Sequence, residues 1–341
     1  MTSNRRHFLE RCFSSSCGFY ATLMLAPLTA RKAYGQAVYG DILGKRPFGR
    51  IEKLNDAVWA LVSTPFSAKG GIGDTSTHSN GGIIAGTDHV LAIDSYRTAA
   101  GARYMAEASQ FLTGRLPSHI VNTHFHFDHL GGTQGFINNG VSPEVIMTQT
   151  TRKLAFDTYL KTTENPTDSR TKISTLKKWG GSLTDASIII PEDRPYQLDL
   201  GGRTVTITPF SGHTGSDLTV TDDLTGITFG GDLIWDGIFP NFMSSSPSQW
   251  ITSVEKILAE KDRVIVPGHG GIQKSNSPEL KKYQILLAEI RAHAEASHKK
   301  GITSEAAAEA FKLTEAVGEV SYFREGFHEI AMAGWYRELN R

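Results

Sequence analysis

His124-Phe125-His126-Phe127-Asp128-His129 is entered from the apolar run His119-Ile120-Val121-Asn122, and the fold turns on this stretch. The run reads as a buried strand, so the cluster occupies a strand exit. On extended chain alternate side chains share a face, and His124 and His126 can therefore point at one ion. Asp128 and His129, at the tight turn that follows, can address a neighbouring ion. Asp128 is also placed to begin a helix over 129–137. Three later segments carry further donors: Gly212-His213-Thr214-Gly215, Gly230-Gly231-Asp232-Leu233 and Pro267-Gly268-His269-Gly270. Each borders a strand-like run, and glycine there lets the backbone turn sharply while a ligand is held at a strand end.

Together these segments offer five imidazoles and two carboxylates, enough for two transition-metal ions with a shared carboxylate. Such a pair makes a hydroxide nucleophile at neutral pH, so the donor set implies metal-dependent hydrolysis of a small-molecule substrate. The remaining histidines His78, His89, His119, His293, His298 and His328 are read as packed or surface residues, His78 lying in a glycine-rich loop.

Working outward, strand-like runs occur at 58–62, 82–85 and 90–94, followed by helical periodicity over 98–112. Residues 68–81, rich in glycine and polar groups, read as a mobile loop that is either a flap or a plain connection. A charged helical pattern covers 147–178, and strands return at 188–190, 196–198 and 205–207, with Gly201-Gly202 as a hairpin turn. Further strands follow at 218–220, 227–229 and 264–266. A helix is expected over 248–259. A longer one starts at Ser277-Pro278, with a cap and a first-turn proline, and others start near Thr303 and Glu315. This order suits stacked sheets with helices outside, an α/β class, and not a regularly alternating parallel barrel.

The 341 residues are 39% hydrophobic and 21% charged, with zero formal net charge. This is an ordinary globular composition with room for one large domain or two small ones. Residues 1–35 hold Arg5, Arg6, Arg11, Arg31 and Lys32 against Glu10 alone, a surplus of four, which leaves the remainder at minus four. No basic stripe follows, so nothing points to nucleic acid. Asn4-Arg5-Arg6-His7-Phe8-Leu9 resembles a twin-arginine export signal. The apolar run 19–30 behind it is too short for a comfortable membrane span, and small residues suited to cleavage follow near Gly35 and Ala37. The expected organisation is a signal segment over 1–37, a polar linker over 38–50, a catalytic domain over 51–275 and a helical extension over 276–341 packed on that domain. The implied partner is the twin-arginine export machinery and the destination is periplasmic, with no stable membrane anchor. Cys12 and Cys17 both fall in the signal segment, so the mature chain has no thiolate for catalysis or metal binding.

The series His-x-His-x-Asp-His, Gly-His-Thr, Gly-Asp and Pro-Gly-His-Gly resembles the metallo-β-lactamase superfamily, over about 51–271. The resemblance implies an αββα sandwich with the site at one edge between the sheets. It implies that His124, His126 and His213 hold one metal, that Asp128, His129 and His269 hold the other, and that Asp232 bridges them. Two zinc ions are the expected cofactors, with other transition metals, iron included, compatible. Asp128 would also orient the nucleophile and relay its proton. Asp94 matches an acidic residue that supports the ligands from behind.

True β-lactamases of this superfamily carry Cys or Ser at the bridging position, so a lactone, ester or amide is expected ahead of a β-lactam. Relatives that hold a single iron and oxidise persulfides form a third reading. They do not use the counterparts of His129 and His269 as ligands. Substrate preference is expected to lie in 68–81, in 235–241 and in the C-terminal helices, with Trp235 and Phe239 either walls of the pocket or core residues.

Overall fold

Val58-Trp59-Ala60-Leu61-Val62 alternates between two cores. Val58, Ala60 and Val62 face one hydrophobic cluster, and Trp59 and Leu61 face another, as the period of two along a strand requires. The computed structural model describes residues 38–66, 72–137, 142–160 and 182–341. The signal segment 1–37, the part of the glycine-rich loop at 68–71 and the helical pattern over 161–178 lie outside the described residues.

The first sheet takes β1 (Asp41–Arg46), β2 (Gly49–Lys53), β3 (Val58–Ser63), β4 (Gly81–Ala85), β5 (Val90–Ile93), β6 (His119–Val121), β7 (Glu144–Thr148) and β8 (Ile188–Ile190) in sequence order. It is antiparallel as far as β5 and parallel from there to β8. The second sheet holds β9 (Tyr196–Asp199), β10 (Thr204–Phe210), β11 (Asp217–Asp222), β12 (Thr228–Trp235), β13 (Val264–His269) and β14 (Gln273–Lys274), ordered β14-β13-β12-β11-β10-β9. Within it β12 and β13 run parallel. The helices are α1 (Ala99–Thr113), α2 (Phe127–Leu130), α3 (Gln149–Leu160), α4 (Pro247–Leu258), α5 (Pro278–Lys299), α6 (Ser304–Ala310) and α7 (Phe327–Leu339).

Between the sheets, Val58, Ala60 and Val62 meet Ile207, Val220 and Phe229. On the outer face of the first sheet, Trp59, Leu61 and Ile120 pack with Ala102 and Met105 of α1. On the outer face of the second, Leu233, Trp235 and Ile265 pack with Trp250 of α4, Leu287 of α5 and Trp335 of α7. The layers are helix, sheet, sheet, helix: the αββα sandwich.

Several elements differ from the sequence expectation. Residues 38–50 are not a linker: β1 and the start of β2 form a hairpin there, and Tyr39 N and Gly40 N donate to Glu52 Oε2 at 2.8 and 2.9 Å. β1 is an edge strand with three of its six residues exposed and none buried, so it carries no hydrophobic alternation to announce it. The helix expected over 129–137 shrinks to α2 and a short 3₁₀ turn, Thr133–Gly135. Gly131 and Gly132 pack against the backbone of 95–98 there, where any Cβ would collide. Met147, placed in a helix, lies in β7. No helix starts near Glu315 among the described residues: the chain runs irregularly through a bridge between Ile238 and Ser321 to α7.

Candidate metal centre

Of the seven predicted donors, His124 and His126 sit in the turn after β6, Asp128 and His129 in the short helix α2 that follows it, and His213 in the turn after β10. Asp232 lies inside β12, and His269 is the last residue of β13. The β12–β13 ladder shifts register on either side of Gly231, whose φ of 50° is left-handed, and Asp232 projects from this irregularity. The structure brings all seven residues together. One donor group comprises His124, His126, His213 and Asp232, a second comprises His129, Asp232 and His269, and a third comprises His78, Asp128 and His269. Asp232 is common to the first two: its Oδ2 lies 3.8 Å from His124 Nε2, 3.3 Å from His213 Nε2 and 3.3 Å from His269 Nε2, and its Oδ1 lies 3.0 Å from His129 Nε2.

The nitrogens facing away from this point are mostly tied down. Thr123 Oγ1 donates to Asp94 Oδ2 at 3.0 Å, so it accepts from His124 Nδ1 at 3.1 Å. His129 Nδ1 donates to Asp94 Oδ2 at 2.7 Å, His269 Nδ1 donates to the His78 carbonyl at 3.1 Å, and His126 Nε2 is hydrogen-bonded with Ser244 Oγ at 3.3 Å. Such outer partners fix the tautomer and leave the other nitrogen's lone pair for a metal. That leaves His124 Nε2, His129 Nε2, His269 Nε2 and His126 Nδ1 turned inward, the last within 2.8 Å of His213 Nε2.

The buried polar atoms agree. His124 Nε2 is buried without a hydrogen-bond partner, as is the outward His213 Nδ1, and each such orphan costs about 1–3 kcal/mol, while His129 Nε2 and Asp232 Oδ1 face each other at 3.0 Å. A cation bound at His124 Nε2 removes the penalty on that atom. The donors are imidazole and carboxylate with no sulfur, a set that suits zinc and iron alike.

Charge favours cation binding too. Burial holds His124 and His213 well below the usual imidazole range and His126 down to about 4, so these rings are neutral at pH 7. Burial alone would raise Asp128 and Asp232, but the surrounding imidazoles outweigh it and hold both well below the usual carboxylate range. His129 shows the complementary effect: burial disfavours its charge, yet Asp232, Asp94 and Asp128 raise it well above its ordinary value. In the metal-free chain His129 thus carries a proton that a bound cation would replace.

His78 is the residue that the sequence reading missed. It packs against the centre with Nδ1 2.9 Å from Asp128 Oδ2, and with Ser79 and Asn80 it belongs to the built site and not to a mobile loop. Its signal was faint: a histidine beside Ser79 and Asn80 at the entry to β4. Phe323, from the irregular segment before α7, stacks on it at 4.3 Å. Trp235 is core and not pocket wall: its ring lies 4.2 Å from that of His269 and its Nε1 donates to the Asp232 carbonyl at 2.7 Å. Phe239 is likewise buried and stacks on Tyr322 at 5.4 Å. His119, His293, His298 and His328 bond elsewhere, to Ser118, Ala307, Asn340 and Tyr322.

A sequence model of the family described as the metallo-beta-lactamase superfamily matches residues 74–269. The acyl-coenzyme A thioesterase MBLAC2 of Gallus gallus is 26% identical over 218 residues, which is 58% of this chain and 74% of that protein. A metallo-beta-lactamase from Pontibacter korlensis has a similar structure, with a TM-score of 0.54 at 19% identity, covering 70% of this chain and 99% of its own. The sec-alkylsulfatase Pisa1 from Pseudomonas sp. gives a TM-score of 0.61 at 15% identity, covering 85% of this chain and 50% of its own. At these identities the two solved structures are alike in fold.

Proposed function

The chain belongs to the metallo-β-lactamase superfamily, and from that premise we propose that it is a dinuclear zinc hydrolase acting on a carboxylic acyl bond. The observation that carries this reading is the position of Asp232, whose carboxylate is shared by the group of His124, His126 and His213 and the group of His129 and His269. Two divalent ions held there would supply a hydroxide nucleophile near neutral pH and polarise the acyl oxygen. Asp128, the most exposed carboxylate of the set at 19%, orients the attacking water and takes its proton. Asp94, Thr123, Ser244 and the His78 carbonyl keep the ligand rings aimed. Trp235 and Trp250 pack beside His213 and keep water from the back of the site.

The substrate class is a lactone, ester, thioester or amide. The thioester is included because the Gallus gallus relative is named an acyl-coenzyme A thioesterase. A β-lactam comes second, because Asp232 stands where β-lactamases of the superfamily carry Cys or Ser. A single-iron oxygenase is disfavoured by the presence of His129 and His269 beside Asp232. The test is hydrolysis of a panel of lactones, thioesters, esters and β-lactams by the metal-stripped and zinc-reconstituted protein. Turnover should require zinc, and Asp232→Ala should lose both metal and rate. Full turnover by an Asp232→Ala protein that still holds two metals would remove the bridging role.

We place the enzyme in the periplasm, exported through the twin-arginine machinery. The support is the Arg5-Arg6 motif and the small-residue stretch near Ala37, together with a mature chain free of cysteine. Replacing Arg5 and Arg6 with lysine should leave the full-length precursor in the cytosol on fractionation. Mature protein in the periplasm of that variant would contradict the assignment.

A further inference from the structure

His78 touches two donors of the second subsite at once. A carboxylate oxygen only accepts, so His78 Nδ1 donates to Asp128 Oδ2 at 2.9 Å. A carbonyl also only accepts, so the His78 oxygen receives the Nδ1 proton of His269 at 3.1 Å and leaves His269 Nε2 bare toward Asp232. The backbone that allows both contacts is left-handed, with φ 63°, a conformation uncommon outside glycine although His, like Asn and Asp, enters it more readily than most residues. Strain of this kind persists where the surroundings hold it.

The surroundings do hold it. Ser79 Oγ donates to the Asp128 carbonyl at 2.6 Å. Asn80 N donates to the Gly268 carbonyl at 2.7 Å, and Asn80 Nδ2 donates to the carbonyls of Pro267 and Gly270 at 2.9 and 2.8 Å. Residues 78–80 therefore strap α2 to the end of β13, the two places from which Asp128 and His269 emerge. The ring of His78 is fixed as well. Phe323 stacks on it at 4.3 Å and 28°, stands edge-on to His269 at 5.0 Å, and stacks in turn on Phe66 at 5.4 Å. Phe323 itself is anchored two residues earlier, where Ser321 N donates to the Gly237 carbonyl and Phe239 N donates to the Ser321 carbonyl.

We propose that His78 is a positioning residue of the second metal subsite: its imidazole orients Asp128, its carbonyl orients His269, and Phe323 of the C-terminal segment holds it in place. This rests on the metal-centre reading above. In this role the Nδ1 hydrogen bond to Asp128 is kept when metal binds. A ligand role for the ring, which His78 shares as a candidate with Asp128 and His269, would put the cation in place of that proton. The positioning role also couples the C-terminal segment to metal occupancy, a link that the spacing of the ligand motifs does not contain.

The test is titration of metal-free protein with cobalt(II), following the visible ligand-field spectrum and the bound metal by elemental analysis. The variants are His78→Gly and His78→Asn. Glycine accepts the left-handed backbone and keeps the carbonyl but removes the donor. Asparagine also accepts that backbone and restores an N–H donor near the position of Nδ1. The wild type should bind two cobalt ions. His78→Gly should fill the first subsite normally and bind the second ion about 10–100-fold more weakly, the usual effect of losing an outer partner. His78→Asn should recover most of that loss with the wild-type spectrum, and Phe323→Leu should fall between.

Two cobalt ions bound by His78→Gly with wild-type affinity and spectrum would overturn the proposal and leave the metal centre standing. A second-ion affinity in His78→Asn as weak as in His78→Gly, with an altered spectrum, would overturn it by making the ring itself a ligand. Failure of the wild type to bind a second cobalt would remove the metal-centre reading and the proposal together.

Discussion

A methyl group added to Gly268 would collide with Asp232 Oδ1 and with the backbone of Gly231, so the carboxylate shared by two donor groups has its place because residue 268 has no side chain. Gly268→Ala should therefore displace Asp232 and lower metal stoichiometry below that of the wild type while far-UV dichroism stays native. Unchanged metal content in the alanine variant would show that the neighbouring strand absorbs the methyl group. Asp94 works at the same scale. It accepts from Thr123 N, Thr123 Oγ1 and His129 Nδ1, so one buried carboxylate aims ligands of both subsites. The seven donors and Asp94 were legible because each closes or follows a strand-like run in a recognisable motif. His78 was not, because its part depends on a left-handed backbone angle and on partners 50 and 191 residues away. Its neighbours in the chain carry no such information.

Among the elements, the central strands were readable and the edges were not. β3 and β5 bury both faces and appear as apolar runs. β1 buries neither, and β14 has two residues. The helices outside the second sheet read correctly where a cap marks them: Ser277 Oγ accepts from Leu280 N at the start of α5. The start of α7 carries only Gly326, with φ 85° and no side-chain cap, which is why the last helix was expected too early. These helices form the fourth layer. Trp335 of α7 is 2% exposed in the cluster that includes Trp235 and Trp250. Trp335→Ala should cost about 3–5 kcal/mol in urea denaturation of the metal-free protein, with metal stoichiometry kept once the variant is folded. A loss under about 1 kcal/mol would mean that α7 contributes little to this core.

For the whole molecule, two sheets lying face to face with helices on both outer faces bring strand ends from both sheets to one edge, where the seven donors meet. The general order of strands and helices pointed to stacked layers. The sheet order itself, with β14 and β13 beside β12, depends on crossovers that no local pattern records. No helix among the described residues is long and apolar enough to cross a membrane. The central claim is that this edge holds two metals through a shared Asp232. Elemental analysis of the mature protein, purified from its native compartment without added metal, tests it most directly. About two zinc ions per chain are expected. About one iron per chain, or no bound transition metal at all, would contradict it.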